Sequence, residues 1–222
     1  MIDYHARATS LYRYDLPEIS TRVLGGSIRV STLQACRVAE NPNAADSGEG
    51  HKTVTSLPGV DHPEAASFAR LLGVDPSSVS ISGNGVVLVG TGAVHRTEVV
   101  EAYVFCTSAL NAPFLRARFG GGCVRIIEPS TFFAAVDLAL RAAAPGPLGP
   151  CLVDDVEYGP RENNYRDHTD RHPAFLKPSG PPRHFESEAE VRAIWQPQGF
   201  TPEPLCLQVP SLIPLLELVT SP

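Results

Sequence analysis

Residues 185–195, FESEAEVRAIW, place Glu186, Glu188, Glu190 and Arg192 at every second position. Side chains of an extended strand alternate between its two faces, so Glu188, Glu190 and Arg192 share one face and Ala189, Val191 and Ala193 the other. The small apolar set packs inward. The charged set then looks either into a cleft, as the acidic end of an active site, or into water, as a solvated face laced with cross-strand ion pairs.

Two further strand candidates carry groups that belong with such a site. LYRYD presents Arg13, and YVFCTS presents the hydroxyl pair Thr107 and Ser108. Arginine, Ser/Thr and Glu-x-Glu in this order on three strands resemble the R-S-E class of ADP-ribosyltransferases. The resemblance implies an ADP-ribosyltransferase-like fold with NAD as substrate. Arg13 would then pair with a phosphate or brace the ribose, and Thr107 and Ser108 would brace the nicotinamide-ribose site. Glu190 would stabilise the oxocarbenium-like charge left when nicotinamide departs, and Glu188 would orient or deprotonate the acceptor. Cys106 stands where the usual serine motif begins with serine.

A second resemblance runs through LYRY, CRVAENPNAADSGEG, FCTS, FLKP and FESEAEVRAIW, and is to an uncharacterised bacterial and phage-associated domain family of unknown function. It groups Arg37, Asp46, Glu49, Gly50, Lys177, Glu188, Glu190 and Arg192, names no reaction, and implies Arg37, Glu49 and Lys177 as further ligand-binding residues.

Other polar clusters have weaker spacing. In DSGEGHK, Asp46, Glu49, His51 and Lys52 accompany Gly48 and Gly50, which would let backbone amides approach an anion, yet the full phosphate-loop spacing is missing. RDHTDRH offers Asp167, His168, Asp170 and His172 without helical periodicity, which reads as a solvated loop rather than a metal site. Lys177 and Arg183 precede the acidic stretch and either bind a phosphate or neutralise the carboxylates. FGGGCVRII has its glycines ahead of a strand, outside the dinucleotide-binding context. As a nucleophile Cys106 is disfavoured by its apolar neighbours Val104 and Phe105, because burial raises a thiol pKa.

The elements that must position these residues follow from pattern. Pro17 opens a helix, PEISTRVL, that Gly25-Gly26 closes ahead of the strand SIRVST. Residues 34–59 read as a long polar loop, and HPEAASFARLLG as a short helix. VSISGNGVVLVGTG reads as a hairpin across Gly83-Asn84-Gly85, followed by the strands YVFCTS and CVRIIEP. STFFAAVDLALRAAA is a helix with Ser130 as N-cap, stopped by Pro145-Gly146-Pro147 before the strand CLVDDVEYG. Residues 160–184 read as a polar connection, and LCLQVP as a hairpin partner of the acidic strand across PQGFTPEP. The whole is α+β: one domain over residues 1–222, mixed or antiparallel twisted sheets with a few short helices.

Composition narrows the function classes. A chain of 222 residues with 43% hydrophobic and 19% charged content is globular in type, and 21 prolines with 18 glycines make it loop-rich. The formal charge of −6 argues against broad capture of nucleic acid. No apolar run reaches the roughly 20 residues that span a bilayer, so a cytoplasmic location without a membrane partner is expected. Five cysteines without a C-x-x-C pair fit reduced thiols. The leading expectation is therefore NAD-dependent ADP-ribosyl transfer to an unknown acceptor, or NAD glycohydrolysis, with no metal. The alternatives are a non-catalytic interaction module and a metal-dependent phosphate-processing enzyme.

Overall fold

The computed structural model describes residues 2–37, 50–56, 86–89, 93–159, 162–164, 172–177 and 185–220. The architecture is α+β. In chain order the elements are β1 (Ile2–Tyr4), β2 (Leu11–Asp15), α1 (Pro17–Leu24), β3 (Ser27–Thr32), α2 (Leu33–Arg37), β4 (His51–Ser56), β5 (Val86–Val89), β6 (Ala93–Val99) and β7 (Tyr103–Ser108). There follow α3 (Pro113–Arg118), β8 (Gly122–Ile126), α4 (Pro129–Ala143), β9 (Leu148–Asp155), β10 (Glu157–Tyr158), β11 (Glu162–Asn164), β12 (Leu176–Lys177), β13 (Glu190–Pro197), β14 (Leu205–Gln208) and β15 (Leu216–Leu218).

The main sheet has the order β1-β9-β13-β7-β2-β8-β15, with β3 also on β7 and β14 on β3. A separate sheet has the order β11-β4-β6-β5, and β10 pairs with β12. β13 is central: β7 and β9 flank it, both antiparallel. The period of two holds along it. Val191, Ala193 and Trp195 join the main apolar core, while Glu190 and Arg192 point to the other face with Ile194.

The main core forms between this sheet and α4, whose Phe132, Phe133, Val136 and Leu140 are fully buried. Phe105 of β7 meets both phenylalanines, at centroid distances of 5.6 and 6.2 Å. α4 is also pinned by polar contacts. Trp195 Nε1 donates to Asp137 Oδ1 at 2.9 Å, and Arg141 holds Asp137 while donating to the carbonyls of Leu148 and Gly149. The rear of the site is thereby fixed.

β7 is shared by two strands that diverge. Its C-terminal end pairs with β2 at Ser108 and Tyr12, whereas its N-terminal end pairs with β3 at Val104–Ser31 and Tyr103–Thr32. Among the described residues, no backbone strand pairs with the edge of β7 between those points, and Arg13 donates there from Nη1 to the Cys106 carbonyl at 2.8 Å. The sheet is split there.

β2 continues against β8, and the seam is tight. A Cβ at Gly122 would stand 2.3 Å from Ser20 Oγ and 2.7 Å from the Asp15 carbonyl oxygen. Because the second of these is backbone, Gly122→Ala must displace β8 or the end of β2. A loss of about 1–3 kcal/mol is expected in urea denaturation, and an unchanged midpoint would show that the seam relaxes freely.

Several local expectations are corrected. α4 starts at Pro129 with Glu128 as N-cap, not at Ser130, because proline takes the first helical position. LCLQ pairs with β3 rather than with the acidic strand. The stretch read as a loop from residue 34 holds α2 and β4, and the connection from 160 holds β11 and β12. VVLV does form a hairpin arm, but across residues 90–92 to β6. The expected helix in HPEAASFARLLG and the turn at Gly83–Gly85 lie outside the described residues. Among the described residues, no helix is long and apolar enough to cross a membrane.

Candidate functional site

The split between β2 and β3 opens a cleft of about 970 Å³. β7 and the start of β13 form its floor, α1 and β2 one wall, β3 and α2 the other, and α3 part of the rim. Arg13, Ser108, Lys177, Glu188 and Glu190 all line it, so the three strands carrying the predicted motifs stand side by side in the order β2, β7, β13. Five cationic side chains line the cleft (Arg13, Arg29, Arg118, Lys177 and Arg192) against three acidic ones (Asp15, Glu188 and Glu190). In a chain of formal charge −6 this is a local cationic excess.

Glu190 sits at the first position of β13, 5% exposed. Its Oε2 lies 2.6 Å from Lys177 Nζ and its Oε1 2.7 Å from Arg192 Nε. Burial alone would raise its pKa, but Arg192 and Lys177, by charge and by hydrogen bonding, hold it well below the usual carboxylate range. It is a fixed anion. Its backbone N–H donates to the Tyr158 hydroxyl at 2.7 Å.

Glu188 reaches the same cleft by a different route from the one expected. The strand begins only at Glu190. Residues Phe185–Glu188 form a 3-10 turn, and Ala189 has a φ of 42°, a left-handed conformation that turns the chain into the strand. Lys177 Nζ donates to Glu188 Oε2 at 3.0 Å. Arg118 Nη2 stands 3.2 Å from Oε1 as an ion pair without hydrogen-bond geometry. Burial raises the Glu188 pKa, with the Glu190 charge adding to it against the pull of Lys177 and Arg118. Two neighbouring carboxylates are thus pushed in opposite directions, the pattern that separates a permanent anion from a proton-exchanging group.

These burials overturn the solvated-face alternative. Glu188, Glu190, Lys177 and Arg192 are each less than a tenth exposed. Desolvating this many charges is costly and adds little net stability, which makes the cluster a functional-site candidate on physical grounds.

The remaining expected residues divide. Ser108 Oγ donates to the Glu188 carbonyl at 2.6 Å and accepts from Leu110 N at 3.0 Å, so it braces the turn that carries Glu188. Thr107 borders the cleft, but its hydroxyl is spent on the Val191 carbonyl at 3.0 Å. Arg13 Nε pairs with Asp15 Oδ2 at 2.7 Å, and its guanidinium lies over the Phe105 ring at 5.1 Å. With Nε and Nη1 engaged, Nη2 has no hydrogen bond among the described residues and is left for a ligand anion.

Arg37 does not line the cleft: it pairs with Glu101 and donates to the Val100 carbonyl. It packs beside Gly50, which has a φ of 72° and where a Cβ would stand 2.8 Å from the Val100 carbonyl oxygen, so the position requires glycine. That corner is structural. Asp46, Glu49, Asp167, His168, Asp170 and Arg183 lie outside the described residues. His172 accepts from Ala174 N through Nδ1 as a turn cap. The hydrogen bond with Cys36, then burial, push the Cys106 thiol well above its ordinary range, the reverse of an activated nucleophile.

Arg29 and Arg118 were missed in the sequence, as was Tyr158. Arg29 occupies an outward position of β3, Arg118 ends α3 just before the glycine run, and neither signal distinguishes a cleft cation from a surface one. Comparison with known proteins finds no matching family model, no matching curated protein and no matching solved structure.

Proposed function

We propose that the cleft binds NAD and breaks the bond between nicotinamide and ribose, passing ADP-ribose to an acceptor or to water. The observation that carries this reading is the convergence of Arg13, Ser108 and Glu190 from three adjacent strands on one cationic cleft. The cleft volume falls within the range of small-molecule and cofactor sites, and its charge suits a pyrophosphate.

Departure of nicotinamide leaves positive charge on the ribose carbon. Glu190, held ionised, opposes that charge without reorganising. Each carboxylate oxygen accepts more than one hydrogen bond, so Glu190 can take a ribose hydroxyl while keeping Lys177 and Arg192. Glu188, with its raised pKa, exchanges a proton with the acceptor. Arg13 on β2 and Arg29 on β3 both line the cleft and would hold the phosphates. The metal-dependent alternative is less well supported, because the protein's own Lys177 ammonium occupies the position between the two carboxylates.

Binding can be tested apart from chemistry. NAD at about a hundred times its dissociation constant should stabilise the fold by about 2.7 kcal/mol, a rise in Tm of about 5–10 °C for a chain of this size. Arg13→Ala should abolish most of that rise. An unchanged wild-type Tm across millimolar NAD would favour the interaction-module reading.

A further inference from the structure

Cys36 on α2 and Cys106 on β7 are distant in sequence, yet both line the cleft. Both pack against the same small apolar cluster that includes Leu33, Val104 and Ile194, and each thiol is close enough to act on the other's proton affinity. Both are partly accessible, whereas Cys123 and Cys151 are buried and Cys206 is exposed on β14. The fold has therefore brought together two thiols with access to solvent through the cleft. A disulfide needs the sulfurs to close to about 2.05 Å, and the two thiols start from one side-chain cluster beside the cleft.

We propose that Cys36 and Cys106 form an oxidisable dithiol site in the cleft, which hydrogen peroxide converts to a disulfide tying α2 to β7. The Cys36 sulfur attacks the peroxide, breaking the O–O bond and giving a sulfenic acid and one water. The Cys106 sulfur then displaces the second water to form the S–S bond, and both thiol protons leave in the waters. The thiol pair loses two electrons and the peroxide gains them. Cys36 and burial disfavour the Cys106 thiolate, which leaves the first attack to Cys36 and makes closure of the disulfide the slower step.

The bridge would cross the wall of the cleft beside Arg13 and Glu190, whose charges act on these thiols. Oxidised protein should consequently show a smaller NAD-induced rise in Tm. That effect rests on the nucleotide reading, while the cross-link itself does not.

The test is peroxide treatment of the folded, reduced full chain, alkylation of the remaining thiols, and a non-reducing peptide map. The expected result is an intact mass lower by two hydrogens, a peptide pair joining Cys36 to Cys106, and reversal by dithiothreitol. Cys36→Ser and Cys106→Ser should each lose the cross-link, and the wild-type map stands without them. Recovery of both residues as alkylated thiols while Cys206 oxidises would overturn the proposal. Separate sulfinic acids at the two positions would do the same, as would equal cross-link yield from urea-unfolded chain.

Discussion

Lys177→Met should destabilise the protein by about 3–5 kcal/mol, the range for breaking a buried ion pair from one side, and lower Tm by about 10 °C. Lys177 is the ammonium common to both glutamates, at 3.0 Å from Glu188 and 2.6 Å from Glu190, and it also stands over the Phe185 ring at 4.6 Å. Methionine keeps most of the volume and removes the charge, leaving Glu188 with Arg118 and Glu190 with Arg192.

The pH dependence has a definite sign. Glu190 has a depressed folded pKa, so its contribution to stability is present above the ordinary glutamate value of about 4.3 and is lost as pH falls toward the folded value. Glu188 has a raised folded pKa, and its contribution runs the other way: present below about 4.3, lost as pH rises through the folded value. In the Lys177→Met variant both folded pKa values move up. The variant should therefore tolerate acid relatively better than wild type and lose most ground near neutrality. Denaturation at pH 4 and pH 7 would check this, and an equal loss at both would mean that Lys177 acts by packing rather than by charge.

The second large effect is on chemistry. Glu190→Gln keeps the shape and an oxygen acceptor for Arg192 but removes the negative charge, and should slow nicotinamide release by about 10³-fold, the upper end for losing one preorganised electrostatic contact. NAD binding should largely persist, because the phosphate-facing cations are untouched, so the loss should appear in kcat rather than in KM. The variant also leaves Lys177 and Arg192 less compensated, and circular dichroism of both proteins would establish that equal folded amounts are compared. A fall confined to KM would assign Glu190 to binding alone.

The strands that matter most were legible because their patterns are local. LYRYD, YVFCTS and EVRAIW alternate β-branched, aromatic and polar residues, and all three appear where expected. The alternation on β13 also placed Glu190 and Arg192 together, opposite Val191 and Ala193. Glu188 was assigned to that strand because the glutamate spacing continues smoothly through Ala189, and nothing local marks a left-handed alanine.

What could not be read is pairing. LCLQ is as good a partner for β13 as for β3, and only the three-dimensional order of strands decides. The split of β7 between β2 and β3, which creates the cleft, is equally invisible in a single strand's composition. Nor does sequence distinguish Thr107, turned to a backbone carbonyl, from Ser108, turned to the Glu188 turn. Arg37 looked like a ligand-binding cation because of its company, but a neighbouring glutamate uses it.

The most direct test is nicotinamide release from NAD by purified wild-type protein beside Glu190→Gln of equal fold. The account predicts release by the wild type and a fall of about three orders of magnitude in the variant. Equal rates from both, or no release from the wild type together with no NAD-induced rise in Tm, would contradict it and leave the buried carboxylates as a structural feature of an interaction module.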